Sequence, residues 1–349
     1  MSKPLFVLSM VIALALLACS SSDEPDVVPT ATALVAGTVP PAAAAPSPTP
    51  IPATISGSES RVTETPPLDE EGLLPITSDF FAIRNNTENA VPYLNDGDPD
   101  HIMTVVSPEG DGPFPALIVV PGSGGRAEAS FGAFYAQRGF VGFSLDYQLS
   151  SSEASAWPMA VQDVICAVRH IKQNAELYRI DPDRIGVMGG AFGGYLALMI
   201  GTLQGDEAFL EGACDDLSQD SRVDIVVVYS SFPDLVGYAE QKSITDTFEQ
   251  FLGASYADNP ALWGLASPIS HVNPDDGAVF VIGHGSLDQE SPIEPVIQFV
   301  RKMKESGVDT HFVEIEGGSH FFWSADYNPE LILEMRRVFE PIMQQLLQP

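Results

Sequence analysis

The chain has 349 residues, 45% of them apolar, enough for one large domain or two small ones. It carries 47 acidic residues against 16 basic ones, a formal net charge of −31. Such a chain is repelled by nucleic acid and by anionic lipid surfaces, so both are excluded as partners of the folded part. The acids are dispersed rather than blocked, which reads as a solvated acidic surface.

The N-terminus reads as an export signal. Lys3 precedes an apolar run from Leu5 to Ala18, LFVLSMVIALALLA, the length of a signal core and too short to span a bilayer comfortably. The run ends in LLAC, which resembles the bacterial lipoprotein signal. On that reading residues 1–18 are removed and Cys19 becomes a lipid-modified anchor, placing the domain outside the cytoplasm on the cell envelope. An ordinary secretory signal, cut nearby with Cys19 discarded, is the alternative. Residues 19–75, with PPAAAAPSPTPIPATISGSES, have few large apolar groups to bury and predict a disordered tether. The folded domain is expected over 76–349.

FFAIRN (80–85) and HIMTVVSPEG (101–110) predict antiparallel edge strands. The acidic run between them, NDGDPDH (95–101), lacks the sixth-position glycine and terminal glutamate of a calcium loop and reads as a turn. Core strands are expected at 115–120, 139–147, 184–190, 223–230, 278–285 and 310–317, near-continuous apolar runs suited to a parallel sheet covered on both faces. Between them, Val161, Val164, Ile165, Val168 and Ile171 recur at helical steps, GGYLALMIGTL reads as a buried helix, and SPIEPVIQFVRKMKESG reads as an amphipathic one ending at Gly307. The stretch 233–273 is long for a connection and predicts a small cap over the sheet edge. The fold class is therefore α/β, a doubly wound, mostly parallel sheet with a cap insertion. Cys166 and Cys214 are either bridged or free. No His/Cys cluster has zinc spacing, and no metal or cofactor is expected.

The chemistry centres on RIGVMGGAFGGYLAL (184–198). Gly189, Gly190, Ala191, Phe192 and Gly193 follow the G-x-S-x-G spacing of a nucleophile elbow, with alanine in the middle. The context is strand, glycine turn, apolar helix, as an elbow requires. Asp288 falls in the loop after one strand and His320 in the loop after the next. LIVVPGSGG places the backbone N–H of Ser123 or Gly124 where, with that of Phe192, it could face a developing oxyanion. His284 reads as orienting its own strand end. His101, His170, His271 and His311 belong to no constellation and default to structural or surface roles. Ser123 and Ser319 lie near the site but on no elbow.

DPDRIGVMGGAFGGYLAL, HGSLDQESP and GGSHFF give residues 114–323 a resemblance to the α/β-hydrolase superfamily. It is similar to bacterial feruloyl/acetyl-xylan esterase-like carboxylesterases and to the catalytic domains of prolyl-oligopeptidase-type peptidases. No β-propeller repeat is visible, which favours the esterase type. The resemblance implies Ser–His–Asp ester hydrolysis, with Asp288 and His320 in the acid and base roles and Ala191 where the nucleophile would stand. Two readings follow. One is an esterase whose serine-dependent turnover is impaired or absent; the other is a binding protein holding an ester, acyl or acylated-glycan ligand in the former active-site pocket. A purely structural lipoprotein leaves the Asp288/His320 pair unexplained.

Overall fold

Alternate residues of each core strand point to opposite faces, and the apolar side chains sort accordingly into two layers. Ile118, Val120, Val187, Val226, Val228 and Ile282 share one core; Leu117, Val119, Met188, Ile225, Val227 and Val281 belong to the other. A sheet apolar on both faces must be covered on both, and it is.

In the computed structural model the described residues are 67–74, 86–122, 129–151, 154–204, 209, 213–214, 218–243, 245–274, 277–322 and 329–348. All lie within one compact unit, Val62–Pro349. The expected signal segment, Cys19, most of the tether and FFAIRN lie outside the described residues.

The described residues form one sheet of β1 (Thr87–Pro92), β2 (Ile102–Val106), β3 (Phe114–Val120), β4 (Val141–Leu145), β5 (Ile180–Gly190), β6 (Ile225–Tyr229), β7 (Val279–Gly285) and β8 (Thr310–Ile315). The order is β1-β2-β4-β3-β5-β6-β7-β8; β2 pairs antiparallel with both β1 and β4, and the remaining pairs are parallel. The expected core strands are all present, though those expected at 139–147, 223–230 and 310–317 are shorter than expected. Thr87–Pro92 was not anticipated; its side chains are mostly exposed and carry no apolar alternation.

The helices are α1 (Ala129–Ala136), α2 (Met159–Gln173), α3 (Ala175–Tyr178), α4 (Ala191–Leu203), α5 (Leu235–Glu240), α6 (Thr245–Leu252), α7 (Pro260–Leu265), α8 (Ile293–Glu305) and α9 (Pro329–Leu347). Buried residues of α2, α4 and α8 join one core, while Tyr135 of α1 and Met335, Phe339 and Met343 of α9 join the other. The stretch 233–273 holds α5, α6, α7 and a 3-10 turn. Asp234 and Asn259 cap α5 and α7 by accepting from Gly237 N (2.9 Å) and Leu262 N (3.2 Å).

One expectation changes, and one open alternative is decided. Residues 67–74 were placed in the tether, but Leu73 and Leu74 are buried, and Leu74 N donates to the buried Glu340 carboxylate of α9 at 2.6 Å. That carboxylate also pairs with Arg336 Nε at 2.6 Å and faces Arg138 Nε at 3.9 Å, so an otherwise unfavourable buried charge is compensated. Of the two cysteine alternatives, the structure shows the bridge: Cys166 in α2 is bonded to Cys214, with Cα atoms 5.6 Å apart.

Candidate active site

The strand order locates the site before any side chain is considered. From β3 the chain moves to β4 on one side, then returns to β5 on the other. The helices that follow β3 and β5 leave to opposite faces, α1 to one and α4 to the other. The crevice opened at that reversal is where doubly wound sheets admit ligands.

Ala191 stands there, at the junction of β5 and α4, with φ 50°. A left-handed conformation at a residue bearing Cβ costs roughly 1–2 kcal/mol, so packing must enforce it. The enforcement is visible in the glycines. A Cβ on Gly193 would collide with Val120 O and Pro121 O at the end of β3, and one on Gly189 would strike the backbone of Gly193 and Gly194. The turn is as tight as the spacing implied. The N–H of Phe192 is among the first-turn donors that an α-helix leaves without an intrahelical acceptor. Its ring stacks on Tyr147 at 6.4 Å, and the Tyr147 hydroxyl donates to Pro121 O (2.8 Å) and Gly122 O (3.2 Å), fixing the start of the β3 loop. Ser123 and Gly124, the expected partner donors, lie outside the described residues.

Asp288 and His320 come together. Asp288 Oδ2 lies 2.8 Å from His320 Nδ1, and both residues are buried. Their loops are joined backbone to backbone: Leu287 N donates to Gly318 O at 2.9 Å, Ser286 N to Ile315 O at 2.9 Å. A Cβ on Gly285 would strike Gly318, which is why both loops use glycine here. Burial raises the Asp288 carboxyl, but hydrogen bonds from His320 and from Ser291 N outweigh it and hold the group below the ordinary carboxylate range. Its other oxygen accepts from Ser291 N (2.8 Å) and Glu290 N (3.0 Å). An ionised carboxylate only accepts, so Nδ1 is the donor and Nε2 keeps its lone pair. Nε2 faces the carboxylate of Glu290 at 3.7 Å, beyond hydrogen-bond reach. The imidazole packs on Phe232 (5.9 Å), Phe232 on Phe248 (5.3 Å), and Phe248 on Phe192 (6.0 Å). This run of rings ties the His320 loop, through α6, to the residue after Ala191.

His284 is fully buried, and that burial holds its imidazole below the ordinary range and so neutral. Its Nε2 donates to Ser291 O at 2.7 Å, tying the end of β7 to the turn that cradles Asp288. His170 meets Tyr178 Oη at 3.0 Å, and His271 meets Leu265 O at 2.7 Å. Sequence reasoning missed Ser291 and Glu290 beside Asp288 and His320. It also missed Ser230, which follows β6 at φ 45° with its buried hydroxyl unpartnered among the described residues. Aspartate favours turns in which its carboxylate accepts from the backbone two residues on, a signal that pointed to Glu290 N; Ser291 and Ser230 left none. His101, expected to belong to no constellation, is clamped between Asp96 and Asp163.

Over 217 residues the chain is 30% identical to Esterase LipQ of Mycobacterium tuberculosis, covering 60% of this chain and 50% of LipQ. It thus spans about half the length of that curated relative. Among solved structures, a truncated carbohydrate esterase from gut microbiota aligns with TM-score 0.65 at 24% identity, over 80% of this chain and 99% of the other. The propionate-bound thermophilic esterase Est2 of the Planctomycetes species Thermogutta terrifontis aligns with TM-score 0.61 at 20% identity, over 76% and 96%. Both structural likenesses establish the fold. Residues 103–303, more than half of the chain, match the BD-FAE family, and the chain belongs to this family of carboxylesterase-type α/β hydrolases.

Proposed function

We propose that this protein keeps the ester-binding site of its family and, with Ala191 in the nucleophile position, holds an ester, acyl or acylated-glycan ligand without serine-dependent turnover. The observation that carries the reading is the left-handed Ala191 on its strand–helix bend in a chain that retains the buried Asp288–His320 hydrogen bond. The left-handed bend and the Asp288–His320 pair support a site that lacks only the nucleophile oxygen. A methyl group has no lone pair to attack a carbonyl. With serine at 191, the hydroxyl would add to the ester carbonyl while His320 Nε2 takes its proton and Asp288 steadies the imidazolium. The carbonyl oxygen would receive the Phe192 N–H and one from Ser123 or Gly124, and the alcohol would leave with the proton from His320. The neighbouring Est2 structure is propionate-bound, which supports a small acyl group as the recognised part.

The test is Ala191→Ser, made without other changes and assayed on short-chain aryl esters. Restoring the nucleophile should raise kcat by about 10³-fold or more over the protein as written. No gain in the serine variant would remove the reading of a sound site lacking one atom. Rapid hydrolysis by the alanine protein would remove the absence of turnover. The protein as written should bind short-chain esters without consuming them, as followed by ligand-observed NMR.

We further propose that the domain is carried on the bacterial envelope by lipidated Cys19. The Cys166–Cys214 bridge supports an oxidising compartment outside the cytoplasm. Metabolic labelling with a fatty acid should mark the protein, and Cys19→Ala should abolish the label.

A further inference from the structure

The same edge of the sheet carries a second concavity, of about 510 Å³. Strands β1, β2 and β4 lie on one side of β3, while β5 to β8, which carry Ala191, Asp288 and His320, lie on the other. The pocket belongs to the first group. It is bounded by the β1–β2 turn, by Gln148 just after β4, and by the first half of α2. Its size is that of a small-ligand site.

Its charges are already met from within. Asp96 Oδ2 lies 2.6 Å from His101 Nδ1, and Asp163 Oδ1 lies 3.1 Å from His101 Nε2, so one imidazolium serves two carboxylates. The remaining oxygen of Asp163 accepts from Gln148 N at 2.8 Å, and that of Asp96 accepts from Asp98 N at 3.0 Å. An anion finds no uncommitted positive charge in this wall, and a cation would compete with His101 for carboxylates that already have partners. What the wall offers is neutral. Asn95, Gln148 and Gln162 bring side-chain amides to it, and Gln162 is held in orientation by donating to Phe209 O at 2.8 Å. An amide presents donor and acceptor side by side, the spacing of adjacent hydroxyls on a sugar ring. Between the amides runs an apolar strip of Leu94, Met159 and the Cys166–Cys214 bridge, a surface for the C–H face of such a ring.

We propose that this pocket binds a neutral pyranose unit, its hydroxyls on Asn95, Gln148 and Gln162 and its C–H face on Met159 and the disulfide. The site is separate from the Asp288/His320 pair, and the inference does not depend on what happens at Ala191.

The experiment is saturation-transfer NMR on the intact protein, with methyl β-D-glucopyranoside and methyl β-D-xylopyranoside as probes and choline as the cationic control. Transfer to a pyranoside is expected, and it should weaken at least about tenfold in an Asn95→Ala, Gln148→Ala double variant that keeps its near-ultraviolet circular dichroism. If that variant unfolds, Asn95→Ala alone, at an exposed position, should still weaken binding measurably. His320→Ala should leave the signal unchanged. No transfer to either pyranoside at tens of millimolar would overturn the proposal, as would transfer to choline alone. Binding that survives Asn95→Ala and is lost in His320→Ala would place the sugar at the ester site and overturn it equally.

Discussion

Two histidines rest on aspartates along one sheet edge, and they differ in how many of their nitrogens are engaged. His320 is held at Nδ1 by Asp288, and its Nε2 is left with a lone pair. His101 is held at both ends, by Asp96 and by Asp163. The hydrogen bond that His101 donates to Asp163, partly offset by burial and reinforced by Asp96, pushes His101 up to about 9. It is therefore a cation at neutral pH, filling a structural ion site between the β1–β2 turn and α2. A base needs an open nitrogen and a clamp needs none. The Asp–His pairing is common to both places; what differs is that His101 is engaged at both nitrogens and His320 at one.

The comparison is broken most forcefully by moving the same substitution between the two clusters. In the Ala191→Ser background, Asp288→Asn should lower kcat on an aryl ester by about 10³–10⁴-fold, because the amide offers the imidazole the wrong partner. Asp163→Asn should leave kcat within about threefold, since its histidine has no open nitrogen to lose. Equal losses would show that the two clusters are not different in kind.

Reduction of the disulfide comes next. The bridge closes a separation of 48 residues and anchors α2, which carries Asp163. The chain-entropy model assigns such a loop about 4 kcal/mol, so urea unfolding with and without reductant should differ by roughly 2–4 kcal/mol. A shift far below that range would mean that the reduced denatured chain is already compact.

The pH dependence of stability sharpens the contrast, because the two clusters carry opposite signs. The His101 value is raised in the fold, so its stabilisation is whole below 6.5 and is lost as pH rises through about 9. Asp288 is lowered, so its contribution is whole above the ordinary carboxylate value of 3.8 and fades as pH falls below it. His101→Asn should cost on the order of 2 kcal/mol near pH 6 and far less near pH 10. A pH-independent loss would mean that shape rather than charge holds that turn.

The smallest effect concerns the bend itself. Ala191→Gly removes the left-handed penalty and should stabilise the fold by about 1 kcal/mol, less whatever the added freedom of the unfolded glycine takes back. A loss of stability would show that the methyl group packs usefully.

Much of this was legible because the signals were local. Six core strands stood out as apolar runs, and the bend was readable since only glycine fits where Gly189 and Gly193 meet backbone. Asp288 and His320 could be placed because each follows a strand, in an order the fold imposes. The long-range pairings were not legible. Nothing in NDGDPDH says that His101 will meet Asp163, which lies in another element far along the chain. Thr87–Pro92 pairs through its backbone with exposed side chains, so it left no pattern to read. The C-terminal helix went unread as well, and with it the buried Glu340 that draws residues 67–74 onto the domain.

His320 also hangs from the last strand of the sheet among the described residues. β8 ends the sheet order and is ladder-bonded to β7, and the loop carrying His320 follows it directly. Edge strands fray at temperatures where central ones stay closed. Warming would thus draw the imidazole off its carboxylate while β3 and β5 remain zipped, and any catalysis restored to this frame would fade before the circular dichroism signal falls.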